Sequence, residues 1–156
     1  MNKMIDINVE LNDKFIEPSV TIHAKSRDEQ VENIIDAIEN ATESEFPLIT
    51  GYRDGTAEFI SQRDIIRVYI NNRKIIVETE DGLYHAKLNL TALEEVLNSN
   101  RFVRISQSEI INMYKVKCFE FSFAGTIGVE MLNGKTTWVA RSRVKAIKGM
   151  IDKKNK

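Results

Sequence analysis

The chain has 156 residues, 42% apolar and 29% charged, a balance that suits one soluble globular unit or a domain with a small appendage. No apolar run approaches the roughly 18 to 20 residues that cross a bilayer, and the opening MNKMIDINVEL alternates apolar and charged residues where a signal peptide would carry an apolar core. A cytoplasmic location is expected. The formal net charge of −1 conceals a polarised molecule: residues 1–58 hold five Lys or Arg against thirteen Asp or Glu, net −8, and residues 59–156 hold seventeen against ten, net +7. Positive charge gathered in one half is what a nucleic-acid surface needs, because each neutralised phosphate releases condensed counterions.

Along the chain, Ile5, Ile7, Val9 and Leu11 alternate with polar residues, and Val20, Ile22 and Ala24 repeat the pattern after Pro18. The period predicts two half-buried strands. Ser26 with Glu29 has the form of a capping box, and Val31, Ile34, Ile35 and Ile38 follow at helical spacing, predicting an amphipathic helix to about Thr42. Its outer face carries Glu32, Asp36 and Glu39, which repel phosphate, so this helix is expected to pack on the first strands and not to read DNA. Phe46 to Thr50 and Thr56 to Ile60 read as strands around Tyr52-Arg53-Asp54-Gly55, and a boundary between two units is expected within Thr42 to Ser61.

From Asp64 the pattern is nearly all β. Ile65 to Ile70 and Lys74 to Thr79 are strands joined by Asn71-Asn72-Arg73, whose asparagines tolerate positive φ and which sets Arg73 at a hairpin tip. Glu80-Asp81-Gly82 turns the chain into Leu83 to Leu88. Thr91 and Glu94 suggest a capping box for a short helix with Leu93, Val96 and Leu97. Val116 to Phe123 and Ile127 to Leu132 are strands, with Phe119, Phe121 and Phe123 as one buried face. Asn133-Gly134 makes a hairpin turn into Thr136 to Ala140, and Val144, Ile147 and Ile151 predict a final helix. Cys118 stands alone, so it forms no internal disulfide and is expected to be an ordinary strand residue. His23 and His85 lie on separate elements, and no metal-ligand spacing, phosphate loop, GxSxG elbow or dinucleotide fingerprint occurs. No catalytic residue, metal, cofactor or small-molecule substrate is expected.

Two segments carry the chemistry. RFVRISQSEIIN, Arg101 to Asn112, and NGKTTWVARSR, Asn133 to Arg143, put hydroxyl and amide residues beside arginines at strand edges, where side chains reach phosphates and base edges without burying charge. Preceded by ISQRDIIRVYINNRKIIVETEDG and LTALEEVL, they give the stretch from about Glu58 to Ile151 an order and spacing that resemble the LytTR family of bacterial DNA-binding transcriptional regulators. The resemblance implies a mostly β fold, with a LytTR-type domain of small antiparallel sheets and short helices following an α+β N-terminal unit. It further implies loops inserted into successive major grooves by two copies on paired sites.

Residue by residue, the resemblance assigns base contact to Arg73, Gln107, and Ser142 or the adjacent Arg141. It assigns phosphate contact to Arg104, Ser106, Ser108, Lys135 and Arg143. An arginine bonds two acceptors of guanine and a glutamine amide pairs with adenine, each worth about 1–3 kcal/mol of discrimination. The chain departs from the family where Gln107 stands at a position often His or Asn, and where Ser142 specifies either edge poorly. Structural roles compete at several positions. Arg104 can pair with Glu109 or another local carboxylate, Ser108 can bond nearby backbone, Asn112 can end a strand, and Trp138 can anchor the last strand.

The division implied is an acidic unit over 1–58 for dimerisation or partner binding, a DNA-binding domain over 59–151, and a basic tail over 152–156. The first 58 residues are too few for a receiver domain of about 120. The family's short regulators, some with a small membrane protein as partner or antagonist, are the nearest in form. The rival reading is a protein-interaction module or partner-bound inhibitor that has lost specific DNA binding. RNA binding lacks the exposed aromatic pairs of a stacking platform.

Overall fold

In the structure, a computed structural model, residues 5–42 and 46–154 are described. Residues 43–45, part of the expected boundary stretch, and the last two residues of the basic tail fall outside that range. The chain divides into two compact units, Met1–Ala37 and Ile38–Lys156, and the division falls inside helix α1, Glu29–Thr42.

In the first unit α1 forms as its periodicity requires, with a correction at its start. Asp28, not Ser26, caps it: the Asp28 carboxylate accepts from Val31 N at 3.0 Å and its carbonyl from Glu32 N at 3.0 Å. The two strands expected at Ile5 to Leu11 and Val20 to Ala24 are not formed. Alternation makes a strand only where a neighbour takes up its backbone groups, and residues 5–28 contain no such ladder. The first 58 residues nevertheless combine helix and strand, because β1, Ile49–Arg53, and β2, Thr56–Ile60, follow α1. β1 begins three residues later than the predicted Phe46.

The second unit is built on a seven-stranded antiparallel sheet in the order β2-β1-β5-β4-β3-β7-β6. Its other strands are β3, Ile65–Asn71; β4, Lys74–Thr79; β5, Gly82–Ala86; β6, Phe102–Ser106; and β7, Glu109–Asn112. A three-stranded sheet, β10-β9-β8, comprises β8, Val116–Phe121; β9, Ile127–Met131; and β10, Thr136–Val139. Neighbouring residues of one strand serve opposite faces, as the pleat demands. Ile65, Val68, Val77 and Ile110 join Leu90, Leu93 and Leu97 of α2, Leu90–Val96 and its C-cap, in one core. Ile66, Ile105 and Ile111 join Ile127, Val129, Met131 and Val139 of the small sheet and Ile147 of α3, Val144–Lys154, in the other. The large sheet is thus covered by α2 on one face and by the small sheet with α3 on the other.

Three local predictions are corrected. The cap of α2 is Asn89, whose side chain accepts from Ala92 N at 2.8 Å, so Thr91 and Glu94 lie inside the helix and are free for another partner. β8 ends at Phe121, short of the predicted Phe123, and the phenylalanines do not form one buried face: Phe119 is half-buried, but Phe121 and Phe123 are exposed. Asn112 ends β7. Fully buried, it donates to Ile65 O at 2.8 Å and accepts from Tyr114 N at 3.0 Å, tying the start of β3 to the chain's exit from β7.

Replacing that amide strands Ile65 O and Tyr114 N in the interior, so Asn112→Ala is expected to lower unfolding stability by about 1–3 kcal/mol, read as a lower urea midpoint at unchanged m-value.

Candidate nucleic-acid interface

The register brings most of the expected contact residues to one end of the large sheet; Lys135, in the turn at the opposite end of β10 from Arg141–Arg143, lies away from it beside Glu78. β3 and β4 pair as Asn71↔Lys74, which leaves Asn72 and Arg73 at the tip. β7 runs antiparallel to β3 with Tyr69↔Glu109, so the β6–β7 turn, Gln107 and Ser108, emerges beside that tip. Ile70 N donates to Ser108 O at 2.9 Å and links the two turns directly. Ala140 N donates to Ile105 O at 2.8 Å, bringing the exit of β10 and the single 3-10 turn Arg141–Arg143 to the end of β6. Three segments separated by more than thirty residues apiece thereby share one rim.

Each tip is held by its own chemistry. Asn72 and Arg73 have φ of 50° and 63°, the pair of left-handed residues that a two-residue hairpin of matching twist demands. Asparagine tolerates this conformation; an arginine does so at a cost of roughly 1–2 kcal/mol that glycine would avoid. The Arg73 side chain is exposed. In the β6–β7 turn, Arg104 lies back along the backbone: its Nε donates to Ser106 O at 3.1 Å and Nη2 to Gln107 O at 2.7 Å. Its Nη1 reaches Thr91 Oγ1 at 3.1 Å and Glu94 Oε2 at 3.0 Å on α2. The competing role noted for Arg104, pairing with a local carboxylate, is present here with Glu94 in place of Glu109. Ser106 Oγ accepts from Ser108 N at 3.2 Å and lies 3.2 Å from Ser108 Oγ. Gln107 itself is exposed at the apex, as are Arg141 and Ser142, while Arg143 is half-buried.

Beneath this rim runs a set of buried charges that sequence reasoning missed. Arg67 on β3, 14% exposed in its side chain, is hydrogen-bonded to Glu78 on β4 and donates to Glu109 on β7 at 3.1 Å. Thr137 of β10 donates to Glu109 Oε2 at 2.7 Å, and Lys135 of the β9–β10 turn meets Glu78 Oε1 at 2.9 Å. Arg67 also stacks over Tyr69, 4.4 Å from the ring centre. Burial acts to raise the Glu78 pKa, and the hydrogen bonds and charges of Arg67 and Lys135 outweigh it, holding the carboxyl below its ordinary value. Burial acts to lower that of Arg67, and Glu78 with Glu109 outweighs it, so it lies above its own. The signal available in the sequence was Arg67 standing between Ile66 and Val68 and Glu78 following Val77, but the partners lie far apart, 42 positions from Arg67 to Glu109 and 57 from Glu78 to Lys135.

Lys135 therefore has a protein partner while its side chain stays 53% exposed. Elsewhere, Cys118 Sγ lies 3.5 Å from Glu130 Oε2. Desolvation together with the carboxylates of Glu130 and Glu120 pushes the Cys118 thiol up, away from a reactive thiolate. Cys118, Glu120 and Glu130 place their ligand-type atoms within 4.8 Å of one another, but Lys117 pairs with Glu130 at 3.3 Å.

An all-antiparallel domain that presents three polar turns on one rim, two of them bearing arginine, has the form of a β-type DNA-binding domain. Residues 56–152 match the model of the LytTr DNA-binding domain, and the chain belongs to that family. It is similar to an uncharacterised HTH-type transcriptional regulator of Staphylococcus aureus strain MSSA476, 30% identical over 145 residues, covering 93% of this chain and 97% of the relative. A counterpart from strain NCTC 8325 is 29% identical over the same span. Among solved structures, the LytTr DNA-binding domain of a methyl-accepting/DNA response regulator from Bacillus cereus superposes with a TM-score of 0.64 at 19% identity, covering 67% of this chain and 96% of that one. The mostly β fold of antiparallel sheets with few helices is thus that of a LytTr domain. The relatives' helix-turn-helix label does not describe this chain's fold: among the described residues, α1, α2 and α3 are each separated by strands. No helix of the described residues is long and apolar enough to cross a membrane.

Because the Glu78 pKa is depressed on folding, its contribution to stability is present above the ordinary carboxylate range and is lost as pH falls through the folded value. Glu78→Gln is expected to flatten the acid limb of a melting-temperature profile. Arg67→Met, which leaves two buried carboxylates without their shared cation, is expected to cost about 3–5 kcal/mol at neutral pH in urea unfolding.

Proposed function

We propose that the chain is a sequence-specific regulator that reads double-stranded DNA with the β3–β4 tip, the β6–β7 turn and the Arg141–Arg143 turn, two copies occupying paired sites. The observation that carries the reading is the joining of these turns at one rim through Ile70 N to Ser108 O and Ala140 N to Ile105 O. Arg73 is assigned base contact: it keeps a strained left-handed backbone where glycine would be easier, and its long cation extends from the tip. Gln107 is the second base contact, its apex backbone steadied so that the amide enters a groove with less freedom to lose. Arg141 and Ser142 follow as base contacts, with Arg143, Lys135, Ser106 and Ser108 on phosphates. Arg104, assigned to phosphate by resemblance, acts here chiefly as the positioning residue of Gln107, since four hydrogen bonds hold it within the protein. Residues 1–58 supply dimerisation or the surface for a protein partner, and the site of action is the cytoplasm.

Arg73→Gly separates binding from folding. It relieves the left-handed backbone, so stability is expected to hold or rise by up to about 1 kcal/mol, while sites selected from random duplexes at about 0.15 M salt lose preference at one position. Lys135→Ala is expected to weaken binding to all sequences and to reduce the salt slope by about one. Enrichment of no motif by the unaltered chain would move the partner-bound inhibitor to first place.

A further inference from the structure

Residues 5–25 hold a pattern that the single chain leaves unused. Ile7, Val9, Leu11 and Val20 are 85%, 71%, 89% and 65% exposed, although they alternate with polar residues as a buried strand face does. The first segment ends in a turn, where Phe15 N donates to Asn12 O and Lys14 N to Asn12 Oδ1, both at 3.0 Å. Pro18 stands just before the second segment, outside any ladder it would join.

The two segments complement each other in one antiparallel register. Placing Val9 opposite Ile22 also sets Ile7 opposite Ala24 and Leu11 opposite Val20 on one face, and Asp6 opposite Lys25 on the other. Pairing the first segment with itself across a twofold at Asn8 would instead set Asp6 opposite Glu10, two like charges. A strand pattern, a cross-strand ion pair and an apolar face thus fit together when segment 5–11 meets segment 20–25.

We infer that the dimer of the proposed function is made by this unit, residues 5–11 of one copy pairing with residues 20–25 of a second copy. The partner is a second copy because both halves of the complement are on this chain, and the single chain leaves them unpaired. A twofold arrangement closes two such ladders at once and buries the apolar faces that are now exposed. The half-buried stripe of α1, Val31, Ile34 and Ile35, supplies a layer for the sheet so formed.

The test uses the full chain with Cys118→Ser. One preparation carries Val9→Cys and another Ile22→Cys, and the two are mixed at about 20 µM and oxidised. A disulfide-linked dimer from the mixture, well above that from either preparation alone, is expected. A monomer carrying an internal disulfide when both substitutions share a chain, with no link in the mixture, would mean a hairpin within one copy and overturn the inference, as would no link in either. Ile7→Asp with Val9→Asp is expected to weaken self-association at least about tenfold by light scattering while leaving affinity for a single half-site unchanged. If the altered chain still occupies paired sites cooperatively, this interface is excluded and the DNA-reading proposal stands; if the unaltered chain dimerises through these residues but selects no motif, the reverse holds.

Discussion

The arrangement of the second unit depends on how Arg67 is satisfied. A guanidinium this buried must have its charge balanced and its donors engaged, and the two carboxylates that do so come from the strands on either side of β3. Those carboxylates in turn need donors, which the small sheet supplies through Thr137 and Lys135. The group is neutral overall, two cations against two anions, but only when β4, β7 and the β9–β10 hairpin are all in register. Shifting any of them by one residue turns a charge to the wrong face and leaves its partner buried alone. Such a group adds little net stability compared with an apolar core of the same volume; its effect is to disfavour other registers.

Register matters here because the rim is made by it. The β3–β4 tip and the β6–β7 turn come from two hairpins whose relative height is set by strand pairing, and the turn after β10 is joined to them through Ala140 N and Ile105 O. Arg67 sits between Tyr69↔Glu109 and the inner end of β3, and Glu109 is the first residue after the Gln107-Ser108 turn. Thr137 bonds that same glutamate from the strand that leads into Arg141–Arg143. The buried charges and the exposed turns are therefore adjacent links of the same chain segments, and a change in the first displaces the second.

What the sequence made legible follows from range. β4 and β2 fall on their predicted bounds, and the Asn72-Arg73 and Asn133-Gly134 turns are where short-range backbone chemistry puts them. The segments that carry Arg73, Gln107 and Arg141–Arg143 come together, because a LytTr-like order of segments carries its topology with it, whereas Lys135 lies at the far end of β10. The cap of α2 was misread because Thr91 and Glu94 satisfy the spacing of a capping box, yet both answer to Arg104, on a strand that closes later in the chain. The strands of the first unit were misread for a related reason. Period-2 alternation reports that a segment can line a buried face, not that a neighbour is present within the same chain to complete it.

In the β6–β7 turn the backbone is held independently of the side chain at its apex. Its backbone is held by Arg104 from α2 and β6, by Ser106 and Ser108 through their hydroxyls, and by Ile70 through Ser108 O. None of these bonds uses the side chain of residue 107. That side chain can change without disturbing the turn that presents it. Arg73 is the converse case. There the side chain is kept although the backbone would be easier with glycine, and the strain is tolerated because the pairing of β3 with β4 and β7 fixes the tip from below. The frame that fixes these two apices is the part of the chain that superposes on a LytTr domain at only 19% identity.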